Sequence, residues 1–150
     1  MGNSAYVFPD VKILISEFAC RCCGNLPPDI YENIYYHLFF RKWQHIRTAW
    51  GRPVPISNNG GWRCPRQVYT MIMGKRAKAA VSPHSFWALD SDLENKKETE
   101  EYAALADELY PELRIGFRGY IEDGSSFVHL DQAYEIQPRA SETWIEGYRF

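Results

Sequence analysis

The hydrophobic and polar positions of this chain fall into two kinds of pattern. Long stretches repeat at helical spacing and short ones alternate residue by residue. Residues 11–18, VKILISEF, read as a short apolar strand or entry segment. It runs into ACRCCGNLPPD, where Asn25, two prolines and Asp29 mark a turn. Asp29 has Glu32 three residues on, the spacing of a capping box. A helix is therefore expected from Ile30 to Trp50, with Ile30, Ile34, Leu38, Trp43, Ile46 and Trp50 as its apolar face and Gly51 as its stop. RPVPISNNGGWRCP predicts a short strand and a Gly/Asn turn, and residues 66–73 a short helix. ENKKETEEYAALADELYPE has strong helix formers, with Tyr102, Leu105 and Leu109 on one face and a proline at its end. LRIGFRGYIEDGSSFVHLDQAYEI predicts a hairpin about its Asp-Gly pair. No repeat or linker interrupts this order. It predicts one domain over residues 1–150, of α+β class, with a small antiparallel sheet and flanking helices.

The alternating stretches also carry the chemistry. Side chains of a strand point to opposite faces in turn. In FVHLD, Phe127, His129 and Asp131 share one face, and Val128 and Leu130 the other. In ALDSDL, Ala88, Asp90 and Asp92 share a face. If these two strands are neighbours, His84, Asp90 and His129 converge. Two imidazoles and a carboxylate with a fourth position open is the ligand set of a catalytic zinc site. Asp92 lies on the same strand face as Asp90 and is the competing ligand. The remaining histidines, His37 and His45, sit in the first helix and read as ordinary helix residues.

Composition narrows the class. Hydrophobic residues make up 45% and charged residues 24%, a globular balance. The net charge of −2 argues against a nucleic-acid partner held by a basic surface. No apolar run reaches the roughly 20 residues of a membrane span. MGNSAYVFPD has neither a basic nor an apolar signal region, so synthesis in the cytoplasm without a signal peptide is expected. Aromatic residues reach 15%, which suits a well-packed core, or an aromatic groove for a sugar or peptide.

Taken in order, the motifs resemble the M15 zinc peptidases, the D-Ala-D-Ala carboxypeptidase and L-Ala-D-Glu endopeptidase family of peptidoglycan enzymes, in the compact form common in phage genomes. The family carries S-x-H-x-x-G-x-A-x-D and later F-V-H-x-D. Here these read SPHSFWALD and FVHLD. EFACRCCG, IRTAWGRPVPIS, GGWRCP and IGFRGYIEDGSSFVHLD follow the family order over residues 11–136. The resemblance implies the M15-like zinc peptidase fold, a Zn2+ cofactor and a peptidoglycan stem peptide as substrate. It implies a monomer that acts on the cell wall after lysis-linked release or as a virion component. Carried over by position, His84, Asp90 and His129 are the zinc ligands. Arg63 holds a substrate carboxylate or carbonyl oxygen, and Ser82 stands two residues before the first ligand. Trp87 takes the place of the family's glycine region and, with Phe86, narrows the pocket.

This chain departs from the family in two places. The family has one residue more between histidine and aspartate than the five that separate His84 from Asp90. Keeping Ala-Leu-Asp intact assigns Asp90. Many members also carry a carboxylate three residues before the last ligand, as general base, where this chain has Ser126. Asp131 is then the first candidate for the base and Asp123 the second. If neither serves, a catalytically weak or inactive domain of the same fold, binding cell wall or built into a virion, is the alternative.

Cys20, Cys22, Cys23 and Cys64 raise a separate possibility, a closed structural metal site. Their grouping, C-x-C-C plus one distant cysteine, differs from paired C-x2-C knuckles. Free buried thiols are the expectation, with a disulfide from Cys64 to the cluster or a bound metal as alternatives.

Overall fold

The computed structural model describes residues 5–73, 83–85, 87–118, 126–132 and 148–149. Within these, helices and small antiparallel sheets form an α+β arrangement. Strands β1 (Tyr6–Phe8) and β2 (Val11–Leu14) pair antiparallel as a two-stranded ribbon. VKILISEF thus divides: only its first half is a strand, and Ile15–Phe18 form a short helix, α1. Glu17 anchors the junction by accepting a hydrogen bond from the backbone N–H of Leu14 at 2.9 Å.

The long helix α2 spans Ile34–Trp50. It begins four residues later than the Asp29/Glu32 pattern predicts, because Asn33 is the cap. The Asn33 side chain accepts from the N–H of Tyr35 at 3.0 Å, while residues 29–32 form turns. Gly51 ends the helix as expected. Its φ of 77° is left-handed, and its N–H reaches Arg47 O and Thr48 O. The buried face also differs from expectation. Tyr36, Phe39, Phe40, Trp43 and Ile46 enter the core, whereas Ile34 is 64% exposed and Leu38 44%. At about 100° per residue Ile34 and Leu38 stand on the far side of the helix from Tyr36. The larger aromatic stripe takes the core because it buries more apolar area.

Helix α3 covers Pro65–Met73, and Pro83–Ser85 form a single 3-10 turn. Strand β3 (Ala88–Asp92) leads into helix α4 (Lys96–Leu109), capped by Asn95, whose side chain accepts from Glu98 N at 2.9 Å. Strands β4 (Arg114–Arg118), β5 (Phe127–Asp131) and β6 (Tyr148–Arg149) complete an antiparallel sheet of order β3-β5-β4-β6. The predicted hairpin strands are β4 and β5, paired from Arg114↔Asp131 to Arg118↔Phe127. Its turn, with Asp123, lies outside the described residues.

One face of this sheet is core. Leu89, Ile115, Val128 and Leu130 are fully buried, with Tyr102, Ala103 and Ala106 of α4 in the same cluster. Ser91 also points inward, where it accepts a hydrogen bond from the indole N–H of Trp43 at 3.2 Å and ties β3 to α2. The outer edge of β3 is covered by residues 55–60: Ser57 N donates to Asp90 O, Asp90 N to Gly60 O and Asp92 N to Pro55 O, at 2.8–2.9 Å. Covering an edge this way satisfies its backbone groups. The approach is so close that a Cβ on Gly60 would lie 2.8 Å from Asp90 O. Among the described residues, no helix is long and apolar enough to cross a membrane.

Candidate metal centre

The register of β3 against β5 builds the site. Asp90 lies directly opposite His129, so the two side chains leave the sheet on the same face. Leu89↔Leu130 and Ser91↔Val128 occupy the core face. The 3-10 turn at Pro83–Ser85 brings His84 over the same spot. His84, Asp90 and His129 offer ligand atoms that all lie within 4.8 Å of one another. His84 Nε2 stands 3.2 Å from Asp90 Oδ2, and His129 Nδ1 stands 2.7 Å from Asp90 Oδ1.

Each imidazole is held from behind. His84 donates from Nδ1 to Gly61 O at 2.9 Å, which turns Nε2 toward Asp90. Nε2 of His129 faces Asp131 Oδ2 at 2.7 Å, which turns Nδ1 toward Asp90. Acceptors behind ligand imidazoles fix tautomer and ring orientation in metal sites. The arrangement therefore passes a chemical fit test for zinc: two imidazole nitrogens and one carboxylate oxygen converge, and each ring has its outer acceptor.

The local electrostatics are those of a compact charge cluster. Burial works against ionisation of Asp90, but His84 and His129 outweigh it and hold its carboxyl well below the usual range. His129 is lowered by burial but raised more by Asp90 and Asp131, and ends at about 9. Burial pushes His84 below its ordinary value, against the pull of Asp90.

Arg63 lies beside this cluster, with its guanidinium 3.9 Å from Asp90 Oδ2 and its side chain 16% exposed. It also donates to Asn59 O at 3.2 Å, and its backbone N–H donates to His84 O at 2.9 Å. Burial lowers its pKa, with Asp90 acting in the opposite sense. Asp92 is exposed and bound to the Ser57 hydroxyl at 2.5 Å, away from the two histidines.

Asp131 is on the expected face, but its carboxylate has other partners. It is fully buried, with one oxygen on His129 Nε2 and the other 3.3 Å from Arg114 Nε. It stands on the far side of the His129 ring from Asp90. That position suits a residue that orients His129, not one that takes a proton at the open side of the cluster. Trp87 also differs from expectation. It is 6% exposed and packs into the core against Tyr35 and Tyr36, at ring separations of 4.7 and 6.3 Å, and so does not wall a groove. Ser82, Phe86 and Asp123 lie outside the described residues. Ser126, the residue before β5, is buried.

Gly61 and Arg114 are parts of this arrangement that sequence reading missed. Gly61 acts through its carbonyl, and no side-chain signal marks it. A Cβ there would meet Phe18 O at 2.4 Å, so glycine alone permits the approach. Arg114 meets Asp131 through the register of β4 against β5, which a strand pattern does not specify.

No protein-family model matches the chain, and no curated protein or solved structure matches it.

Proposed function

We propose that this chain is a zinc-dependent peptidase of the M15 type that hydrolyses peptidoglycan stem peptides, released on host lysis or carried in a virion. One observation carries the reading: His84, Asp90 and His129 converge on one point while Gly61 O and Asp131 engage the opposite nitrogens of the two rings. Those three side chains would hold the ion. Zinc bound there supplies Lewis acidity toward a carbonyl oxygen and lowers the pKa of water.

The chain's own residues do the rest. Arg63, partly exposed beside Asp90, presents a planar fork to a carboxylate or carbonyl oxygen of the stem peptide. Gly61 O and Asp131 keep both imidazoles in the orientation the ion needs. The two substrate classes implied by the motifs are the D-Ala-D-Ala terminus and the L-Ala-D-Glu bond, both of which offer carboxylates for Arg63.

The engagement of Asp131 by Arg114 and His129 favours a second reading, a domain of the same fold with weak or no catalysis that binds cell wall or serves in a virion. Zinc analysis of the wild type against the His84→Ala/His129→Ala variant, then incubation with muropeptides and mass spectrometry, separates the two. Bound zinc with product formation supports the peptidase, and bound zinc without product supports the second reading. Failure to take up zinc at His84, Asp90 and His129 overturns both.

A further inference from the structure

A second group of ligating side chains lies apart from the histidine cluster. Cys20, Cys23 and Cys64 offer sulfurs that all lie within 4.8 Å of one another. Cys20 follows α1, and Cys64 immediately precedes α3. Although Cys22 interrupts the run, Cys20 and Cys23 are spaced C-x2-C, as in a zinc knuckle. The backbone between them has the matching form. Gly24 follows the second cysteine at φ 74°, a left-handed conformation that favours glycine. Gly24 N donates to Cys20 O at 2.7 Å, and Cys20 N donates to Asn25 O at 2.9 Å, which closes the turn.

Backbone N–H groups point at the sulfurs. Cys22 N and Cys64 N donate to Cys20 Sγ at 3.4 and 3.3 Å, and Gln67 N donates to Cys64 Sγ at 3.4 Å. Donors aimed at sulfur favour thiolate. The Cys20 thiol itself donates to Gln67 Oε1 at 3.0 Å, a proton that metal binding would displace. Three sulfurs so close cannot all ionise cheaply without a cation among them.

We propose that Cys20, Cys23 and Cys64 bind a thiophilic d10 cation, zinc, as a structural site distinct from His84, Asp90 and His129. Three thiols each lose a proton to solvent on binding, so the site takes up one Zn2+ and releases three protons. Cys22, the remaining thiol, is outside the cluster, and the oxygen donor beside the sulfurs is Gln67 Oε1, 3.0 Å from Cys20 Sγ, which could close the fourth tetrahedral position. The three thiolates leave one excess negative charge, and Arg63 feels the charge of Cys20. The site would clamp the turn after α1 to the start of α3. Between these lies the segment that carries Gly61 and Arg63, already joined to α1 by the 2.8 Å hydrogen bond from Trp62 N to Phe18 O.

The test uses the full chain, reduced and kept anaerobic, with Co2+ as a spectroscopic probe for zinc. Thiolate ligation gives an intense near-ultraviolet charge-transfer band that imidazole and carboxylate ligands do not. The band should appear in the wild type and persist in the His84→Ala/His129→Ala variant. It should be lost in Cys20→Ser and Cys64→Ser and weakened in Cys23→Ser. Cys20 and Cys64 are buried, so serine there can unfold the chain. Cys23 is exposed, and the wild type gives an independent reading. Titration of the zinc-loaded wild type with an organomercurial should release one zinc equivalent that persists in the double histidine variant. Absence of the band in the wild type, no zinc released by the mercurial, or a Cys20–Cys64 disulfide in protein purified without reductant would each overturn the proposal.

Discussion

Replacing Asp131 by asparagine separates two roles for this carboxylate. As a general base it would be needed for turnover and dispensable for metal binding. The structure instead sets it behind His129, 2.7 Å from Nε2, with its second oxygen 3.3 Å from Arg114. Asparagine can still accept from Nε2–H but loses the negative charge, and mutation of such an outer partner typically costs about 10–100-fold in metal affinity. That is about 1.4–2.7 kcal/mol, since each 1.4 kcal/mol is tenfold. Stability should fall too. Arg114 is almost completely buried, and removing one member of a buried ion pair costs about 3–5 kcal/mol. The two losses can be told apart. In the Asp131→Asn/Arg114→Met double variant the stranded charge is gone, so much of the stability should return, while the loss of zinc affinity should remain. Zinc affinity would be read by competition with a chromophoric chelator, and stability by urea unfolding of the metal-stripped chain. Unchanged zinc affinity in Asp131→Asn, with turnover abolished, would refute the positioning role and restore Asp131 as the base.

The other predictions concern the ligand set, its protonation and the core beneath it. Asp90→Ala should abolish metal uptake at the histidine cluster, while Asp92→Ala, which removes an exposed carboxylate bound to Ser57, should leave it intact; isothermal titration with zinc would show the reverse if Asp92 were the ligand. For the metal-stripped chain, the pKa of His129 rises from an ordinary 6.5 to about 9 on folding, so its stabilising contribution is complete below pH 6.5 and lost as pH climbs through 9. The urea midpoint should therefore drop over that window, and a flat midpoint between pH 6.5 and 9 would contradict this. Trp87→Ala should destabilise by about 3–5 kcal/mol, as large core truncations do; a selective loss of substrate affinity at unchanged stability would return Trp87 to the groove.

The parts of the fold that could be read from sequence were those set by local alternation. ALDSD and FVHLD each display a polar face and an apolar face, so the strands and the residues sharing each face follow from the residues alone. Their mutual register does not, and register is what sets Asp90 opposite His129 and Arg114 opposite Asp131. The start of α2 does not follow from sequence, because Asp29/Glu32 and Asn33 are both good cap signals, and tertiary packing decides between them. The apolar face of α2 is ambiguous for a related reason. Ile34 and Leu38 match helical spacing as well as Tyr36, Phe39 and Phe40 do, and only the position of the core distinguishes the two stripes. In the cysteine run, Cys22 hides the C-x2-C spacing of Cys20 and Cys23, although Gly24 just after it was a visible cue.

The direct opposition of Asp90 and His129 has a consequence for how this chain tolerates change. Their separation is set by the distance between adjacent strands, not by the length of chain that joins them. Everything between β3 and β5, including α4 and β4, could lengthen or shorten without moving one donor relative to the other, provided the ladder re-forms. A slip of a single residue in β3 would be far worse, because it would turn Asp90 into the core and offer Leu89 or Ser91 in its place. A residue lost or gained between His84 and Ala88 would be of the tolerable kind. It would fall before the ladder begins at Ala88, after the 3-10 turn, so the change in length would be taken up by the approach of His84 and not by the strand pair.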